Sequence, residues 1–303
     1  MSPAVFGVIA QYLFPAIVFT IMFGMGLSLV GRDFGRIAAS PRAVVVGLTI
    51  QLLIVPLVAV GLGHLLPFGP DVAVGLVLLA ACPGGATSNA ISLAAKADVA
   101  LAVVLTAASS LFVAFTLPLW TVFATEHFLN EAKSFHLPVG ETMTHLLLLT
   151  VLPSGLGMIV RRLAPTLATG ALPTFRWLAM ALIGLMCLLT TVFNGRYLAD
   201  PKVLLESFVG CLALMTLAMG AGALLSRLAG LDVTQTMTIV IEVGVHNLAI
   251  GLLIAVTVLG DPAITRLPLV YGLLMLILPW LFIAGFKRRN AEVISENPQV
   301  GEA

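Results

Sequence analysis

The sequence predicts an all-α polytopic membrane protein of about nine transmembrane helices, and three observations carry that expectation. Hydrophobic residues make up 60% of the 303-residue chain and charged residues only 10%, far outside the composition of soluble domains. Apolar stretches recur along the chain, each near the roughly 20 residues that a bilayer core requires, and short polar, Gly- or Pro-containing connections separate them. Basic residues alternate from one connection to the next, the pattern left by retention of Lys and Arg on the cytoplasmic side.

Taken in order, the apolar stretches run over residues 4–29, 43–66, 72–95, 99–124, 143–160, 177–193, 203–225, 234–259 and 267–286. One side of the bundle collects Arg32, Arg36, Arg42, Lys96, Arg161, Arg162, Arg176, Arg227, Lys287, Arg288 and Arg289. The other holds Lys133, Arg196, Lys202 and Arg266. This asymmetry predicts a multi-pass protein of the cell inner (plasma) membrane, N-terminus outside and C-terminus cytoplasmic. The first stretch follows Met1-Ser2-Pro3 without a basic leader and reads as a retained span.

Several function classes are disfavoured. A net charge of +1 carries no signal for nucleic acid, and the basic run Lys287 to Arg289 reads as a topology determinant. Cys82, Cys187 and Cys211 fall inside predicted spans, where small-hydrophobe packing is expected. His64, His127, His136 and His145 lie in connections or near span ends, and none has metal-ligand spacing with another, so no metal enzyme site is predicted. No zinc-protease motif, Asp-rich diphosphate motif or Ser/His/Asp set suggests an enzyme, and a channel would need a continuous pore. No cofactor and no obligate protein partner is expected; the bilayer is the expected surrounding.

Two stretches are interrupted near their middles: the third at Ala81 to Asn89 (ACPGGATSN), the eighth at Glu242 to Asn247 (EVGVHN). Pro83 removes a donor and disfavours helix at Cys82, while Gly84 and Gly85 admit conformations closed to other residues. A proline kink would explain the third stretch alone. A second interruption five stretches later runs in the opposite direction, so stretches one to four match six to nine as inverted repeats. Interrupted helices at corresponding positions of inverted repeats point to a secondary transporter with its site near the midplane.

Glu242 is the acidic residue placed deep inside a span, at a cost of a few kcal/mol. With no Lys or Arg predicted at its depth, it must be compensated by polar neighbours, a bound cation or a proton. Ser88, Asn89, Thr106 and Glu242 offer the oxygen ligands that a hard cation prefers, and sodium is the natural ion. Gln51 reads by itself as interhelical packing, and His246 is open between packing and function. A half-helix beginning at Thr87 would direct free N–H groups and a positive dipole end at an anion.

The segment CPGGATSN from Cys82 to Asn89, together with EVGVHN from Glu242 to Asn247, resembles the two signature segments of the bile acid:sodium symporter family. Ile21 to Leu27 (IMFGMGL) is similar to its early glycine-rich helix, and the resemblance runs from about residue 10 to 286. It implies a core domain over 43–126 and 203–287 that holds two crossed broken helices. It also implies a panel domain over 3–31 and 142–194, with 288–303 as a cytoplasmic tail. The family's first sodium site maps onto Ser88, Asn89, Thr106 and Glu242, with Ala102 where some members carry serine.

Its second sodium site maps onto Gln51, Glu242, the carbonyls of Val243 and Val245, and His246, where a glutamine is familiar. An imidazole is a poorer partner for hard sodium than an amide oxygen, so this site is expected to be weak or pH-sensitive. Asn247 resembles the asparagine that faces substrate, with Thr87 and Asn89 as further donors. The expected function is sodium-coupled symport of a small or amphipathic organic anion by alternating access, with Gly24 to Gly26 helping the motion. The alternative is a proton-coupled carrier that uses Glu242 and His246.

Overall fold

In the computed structural model, residues 3–31, 35, 40–129, 139–195 and 200–286 are described. Arg32, Arg36, Lys133, His136, Arg196, Lys287, Arg288, Arg289 and the 288–303 tail lie outside them. The chain folds into helices: α1 (Pro3–Ser28), α2 (Pro41–Leu65), α3 (Pro70–Ala81), α4 (Ala86–Ala95), α5 (Val99–Phe128), α6 (Val139–Leu163), α7 (Pro165–Asn194), α8 (Pro201–Leu228), α9 (Val233–Gly244), α10 (Leu248–Val258) and α11 (Arg266–Phe286). No named strand occurs among the described residues.

Seven of these helices are long and apolar enough to cross a bilayer. The short pairs α3/α4 and α9/α10 stand where the third and eighth stretches were expected. The protein is thus a helical multi-pass membrane protein, and its surface agrees. Leu152, Leu156, Ile159 and Leu163, spaced along one face of α6, are all exposed. A one-sided apolar stripe of this kind is stable against lipid and would be a liability in water.

Helix starts follow capping chemistry. The Asp98 carboxylate accepts from the Leu101 N–H at the head of α5, and Asp200 does the same for α8. Asp232 and Gln235 cap α9 reciprocally, which satisfies donors that a helix start leaves free. The sixth stretch is longer than expected. It was predicted to begin at Trp177, but Ala164 alone separates α6 from α7, and Pro165 opens α7 at a position where its missing N–H costs nothing. Arg176 therefore sits within a helix rather than in a connection.

Gly24 and Gly26 are packing positions. A Cβ at Gly26 would collide with the backbone of Ser154, one at Gly157 with the backbone of α1, and one at Gly24 with the Phe175 ring. Helices α1 and α6 thus cross with backbones touching, as small residues allow in membranes. The most extensive packing of α1 is with α6 and α7, while α2, α3, α5, α8, α9 and α11 pack among themselves.

Candidate functional site

Both interruptions fall at the expected places and are shorter than the sequence suggested. Helix α3 stops at Ala81, Cys82 is extended, and α4 resumes at Ala86 behind an extended Gly85. Helix α9 runs on through Glu242 to Gly244, so its break is confined to Val245, His246 and Asn247. The two extended segments meet as an antiparallel bridge between Gly84 and His246, and the Asn247 N–H donates to the Pro83 carbonyl at 2.7 Å. Non-helical backbone inside a membrane must be satisfied by protein, and here each break supplies partners for the other.

Four groups finish that task. The Gln51 side-chain amide donates to the Cys82 carbonyl at 2.8 Å, and His246 Nδ1 lies 3.1 Å from the same oxygen and 3.2 Å from Gln51 Nε2. Asn247 Oδ1 accepts from the Ile250 N–H, capping α10. The Tyr271 hydroxyl donates to the Gly244 carbonyl at 3.0 Å, one of the last four carbonyls of α9, which have no donor within their own helix. Tyr271 is fully buried, with its ring 5.4 Å from that of His246.

Gln51 reaches the crossover from a wide turn of α2 at Ile50–Ile54, in π geometry. Pro56 lacks the N–H that would pair with the Leu52 carbonyl in a regular helix. The Trp120 indole N–H from α5 donates to that carbonyl at 3.1 Å. Single-turn widenings of this type recur at functional sites; this one holds Gln51 against the broken helix.

A second polar cluster lies one helical face away. Thr106 Oγ1 is 2.6 Å from Glu242 Oε1 and 3.3 Å from Asn89 Oδ1, and the Ser88 hydroxyl faces the same carboxylate. Both neighbours of Thr106 are acceptors, and a hydroxyl has one proton to donate. The Ser88 hydroxyl donates to the Gly85 carbonyl at 2.7 Å. The result is a group of oxygens with fewer protons than acceptors, buried at Ser88, Thr106 and Glu242. Ala102 is buried too and adds no oxygen. A Cβ at Gly84 would overlap the Glu242 carboxylate, so glycine there lets the charge approach the opened backbone.

Three buried side-chain atoms at the crossover have no hydrogen-bond partner: Gln51 Oε1, Glu242 Oε2 and His246 Nε2. Native proteins rarely leave such atoms unmatched, and each unmatched group costs about 1–3 kcal/mol. The first two are oxygens suited to a hard cation. Val243 and Val245 are fully buried on either side of the end of α9. The structure thus brings together Gln51, Ser88, Asn89, Thr106, Glu242, Val243, Val245, His246 and Asn247. Thr87 is exposed at the head of α4, Asn89 is partly buried and Asn247 is buried.

Sequence reasoning passed over Tyr271 and Trp120. Each is an isolated amphipathic aromatic in an apolar helix, which normally signals only that its polar atom needs a partner. It also found no metal-ligand spacing between His64 and His127, whose Nε2 atoms are 2.8 Å from one another.

The family model described as Sodium Bile acid symporter family matches residues 15–201. The uncharacterized sodium-dependent transporter YocS of Bacillus subtilis is 31% identical over 260 residues, covering 84% of this chain and 76% of that protein. The probable chloroplastic sodium/metabolite cotransporter BASS1 of Arabidopsis thaliana is 29% identical over 272 residues, or 89% of this chain and 65% of its own length. The human ileal sodium/bile acid cotransporter is 25% identical over 289 residues, covering 93% of this chain and 81% of that protein. These relatives are named as transporters, and their matches extend beyond the family match to cover most of the chain.

Proposed function

The chain belongs to the sodium bile acid symporter family, and on that premise we propose that it couples inward movement of sodium to uptake of a small or amphipathic organic anion across the cell inner membrane by alternating access. The observation that carries this reading is the set of buried, proton-poor oxygens at the crossover: Glu242 Oε2 and Gln51 Oε1 without partners, and Thr106 between two acceptors. Among the described residues no ion pair forms with Glu242. A sodium ion supplies positive charge without a buried Lys or Arg.

The first ion would bind to Ser88, Asn89, Thr106 and Glu242. The second would use Gln51, Glu242 and the carbonyls of Val243 and Val245, with His246 at its edge. Sodium in the first site would tie α4 and α5 to α9, because its ligands come from all three. The anion would meet Asn247, Thr87 and Asn89 near the start of α4, where backbone N–H groups and the helix dipole favour negative charge. The tighter association of α1 with α6 and α7 supports their movement as a panel against the remaining core. The loops' basic residues support an N-terminus outside and a cytoplasmic C-terminus.

Proteoliposome uptake of a panel of radiolabelled organic monoanions tests the proposal, with sodium, potassium or proton gradients imposed in turn. Uptake driven by sodium alone supports it. Uptake driven by protons without sodium would move the coupling to Glu242 and His246, and facilitated flux indifferent to every ion would remove coupling altogether.

A further inference from the structure

His64 and His127 stand in the last turns of α2 and α5, 63 residues apart in sequence. Both side chains are exposed, and their Nε2 atoms approach to 2.8 Å with the ring planes 77° apart. That contact requires one imidazole to donate and the other to accept, so the two Nε2 atoms are directed at a common point. Neither side chain belongs to the crossover.

The rings are held in this pose by aromatic neighbours. Phe123 stacks on His127 at 5.2 Å with planes 9° apart. The Phe128 ring meets His127 edge-on at 4.9 Å and lies 5.2 Å from His64. A Cβ at Gly63 would strike Phe128, so the glycine gives that ring its place between the two helices. Rotamers locked by packing are the usual requirement of a binding site.

We propose that His64 and His127 form a two-ligand site for a borderline divalent transition ion, zinc or copper in preference to sodium, magnesium or calcium. Imidazole suits these metals, whereas the hard cations take oxygen. Shifting the donor ring's proton from Nε2 to Nδ1 leaves a lone pair on each Nε2 for the ion. Zinc–nitrogen distances near 2.05 Å with tetrahedral angles put the two nitrogens about 3.3 Å apart. The pair therefore opens by roughly half an ångström from its present contact, a shift that exposed side chains absorb. Both ligands sit at helix C-termini, whose partial negative charge favours a cation. Among the described residues no third His, Cys, Asp or Glu completes a cluster, which leaves the remaining coordination positions to water. Bound metal would tie the end of α2, the helix that carries Gln51, to the end of α5, the helix that carries Thr106.

The test uses full-length protein with any affinity tag removed, equilibrated with zinc chloride in one series and copper(II) chloride in another. One zinc per chain is expected, and the copper spectrum should show hyperfine coupling to two imidazole nitrogens. His64→Gln and His127→Gln should each weaken zinc binding by about tenfold or more, with little further loss in the double variant. His145→Gln, which removes an exposed histidine elsewhere on the protein, should bind zinc as the wild type does. Metal-free unfolding midpoints establish that all variants fold. Equal zinc affinity in wild type and both pair variants, equal loss in His145→Gln, or a copper spectrum with one nitrogen would overturn the proposal. None of these readouts involves sodium or transport, so the result is independent of the coupling mechanism.

Discussion

Replacing Glu242 by glutamine should abolish the dependence of stability on sodium, so that the stability order of the two proteins switches with the salt. In sodium-free buffer the wild type buries a carboxylate with one oxygen accepting from Thr106 and the other unmatched. An acidic group at membrane depth costs on the order of 3 kcal/mol even on lenient insertion scales. Glutamine keeps the shape and the oxygen facing Thr106 while removing the charge. Glu242→Gln should therefore be at least as stable as wild type in choline chloride, and up to about 3 kcal/mol more stable. Sodium should reverse that order. A ligand bound only by the folded state contributes about 2.7 kcal/mol at 100 times its dissociation constant, a gain open to the wild type and closed to a variant that has lost the ligand shared by both proposed sites. The assay is thermal unfolding of purified protein in sodium, potassium and choline chloride at equal ionic strength. A variant equally destabilised in all three salts, or one that retains the full sodium response, would refute the reasoning.

Four further outcomes are expected. Gly84→Ala should lower the unfolding midpoint, by the 1–3 kcal/mol or so typical of overpacking, and abolish the sodium response, because the added methyl overlaps the Glu242 carboxylate. Trp120→Phe should cost about 0.5–1.5 kcal/mol by removing the indole hydrogen bond to the Leu52 carbonyl, read by the same unfolding assay. Gly26→Leu should disrupt the α1/α6 crossing and reduce yield of folded protein, whereas Gly7→Ala, with open space around it, should be neutral in the same expression test. His246→Gln should strengthen sodium-induced stabilisation, because an amide oxygen suits a hard cation better than an imidazole nitrogen; an unchanged sodium response would count against an imidazole effect at the second site.

The helices and both breaks were legible because they depend on local chemistry. Twenty apolar residues make a span wherever they occur, and Pro83 with Gly84 and Gly85 interrupts a helix without help from distant groups. Glu242 was legible for the opposite reason: its cost is so high in any membrane context that it implies partners before they are seen. What escaped was decided by proximity. Nothing near Trp120 in the chain shows that Pro56 has freed a carbonyl opposite it, and nothing near Tyr271 shows that α9 ends against its hydroxyl. His64 and His127 were judged by spacing along the sequence, which carries no information once helices α2 and α5 align their ends. The early start of α7 was hidden because the stretch between Val160 and Trp177 holds Arg161, Arg162 and Arg176 and reads as a connection, while the structure uses Pro165 as a helix opener and accommodates Pro173 inside a long helix.

The hydrogen bond from the Asn247 N–H to the Pro83 carbonyl is made entirely by main chain. Any residue but proline at position 247 can donate it, and any residue at position 83 can accept it. That one bond is therefore indifferent to most substitutions at either position, unlike the contacts of Gly84, Gln51 and Tyr271 that complete the joint around it. On the proposed function, a lineage could exchange one cargo for another by changing exposed Thr87 without first reinventing the joint, the sort of modularity that lets one architecture serve different diets.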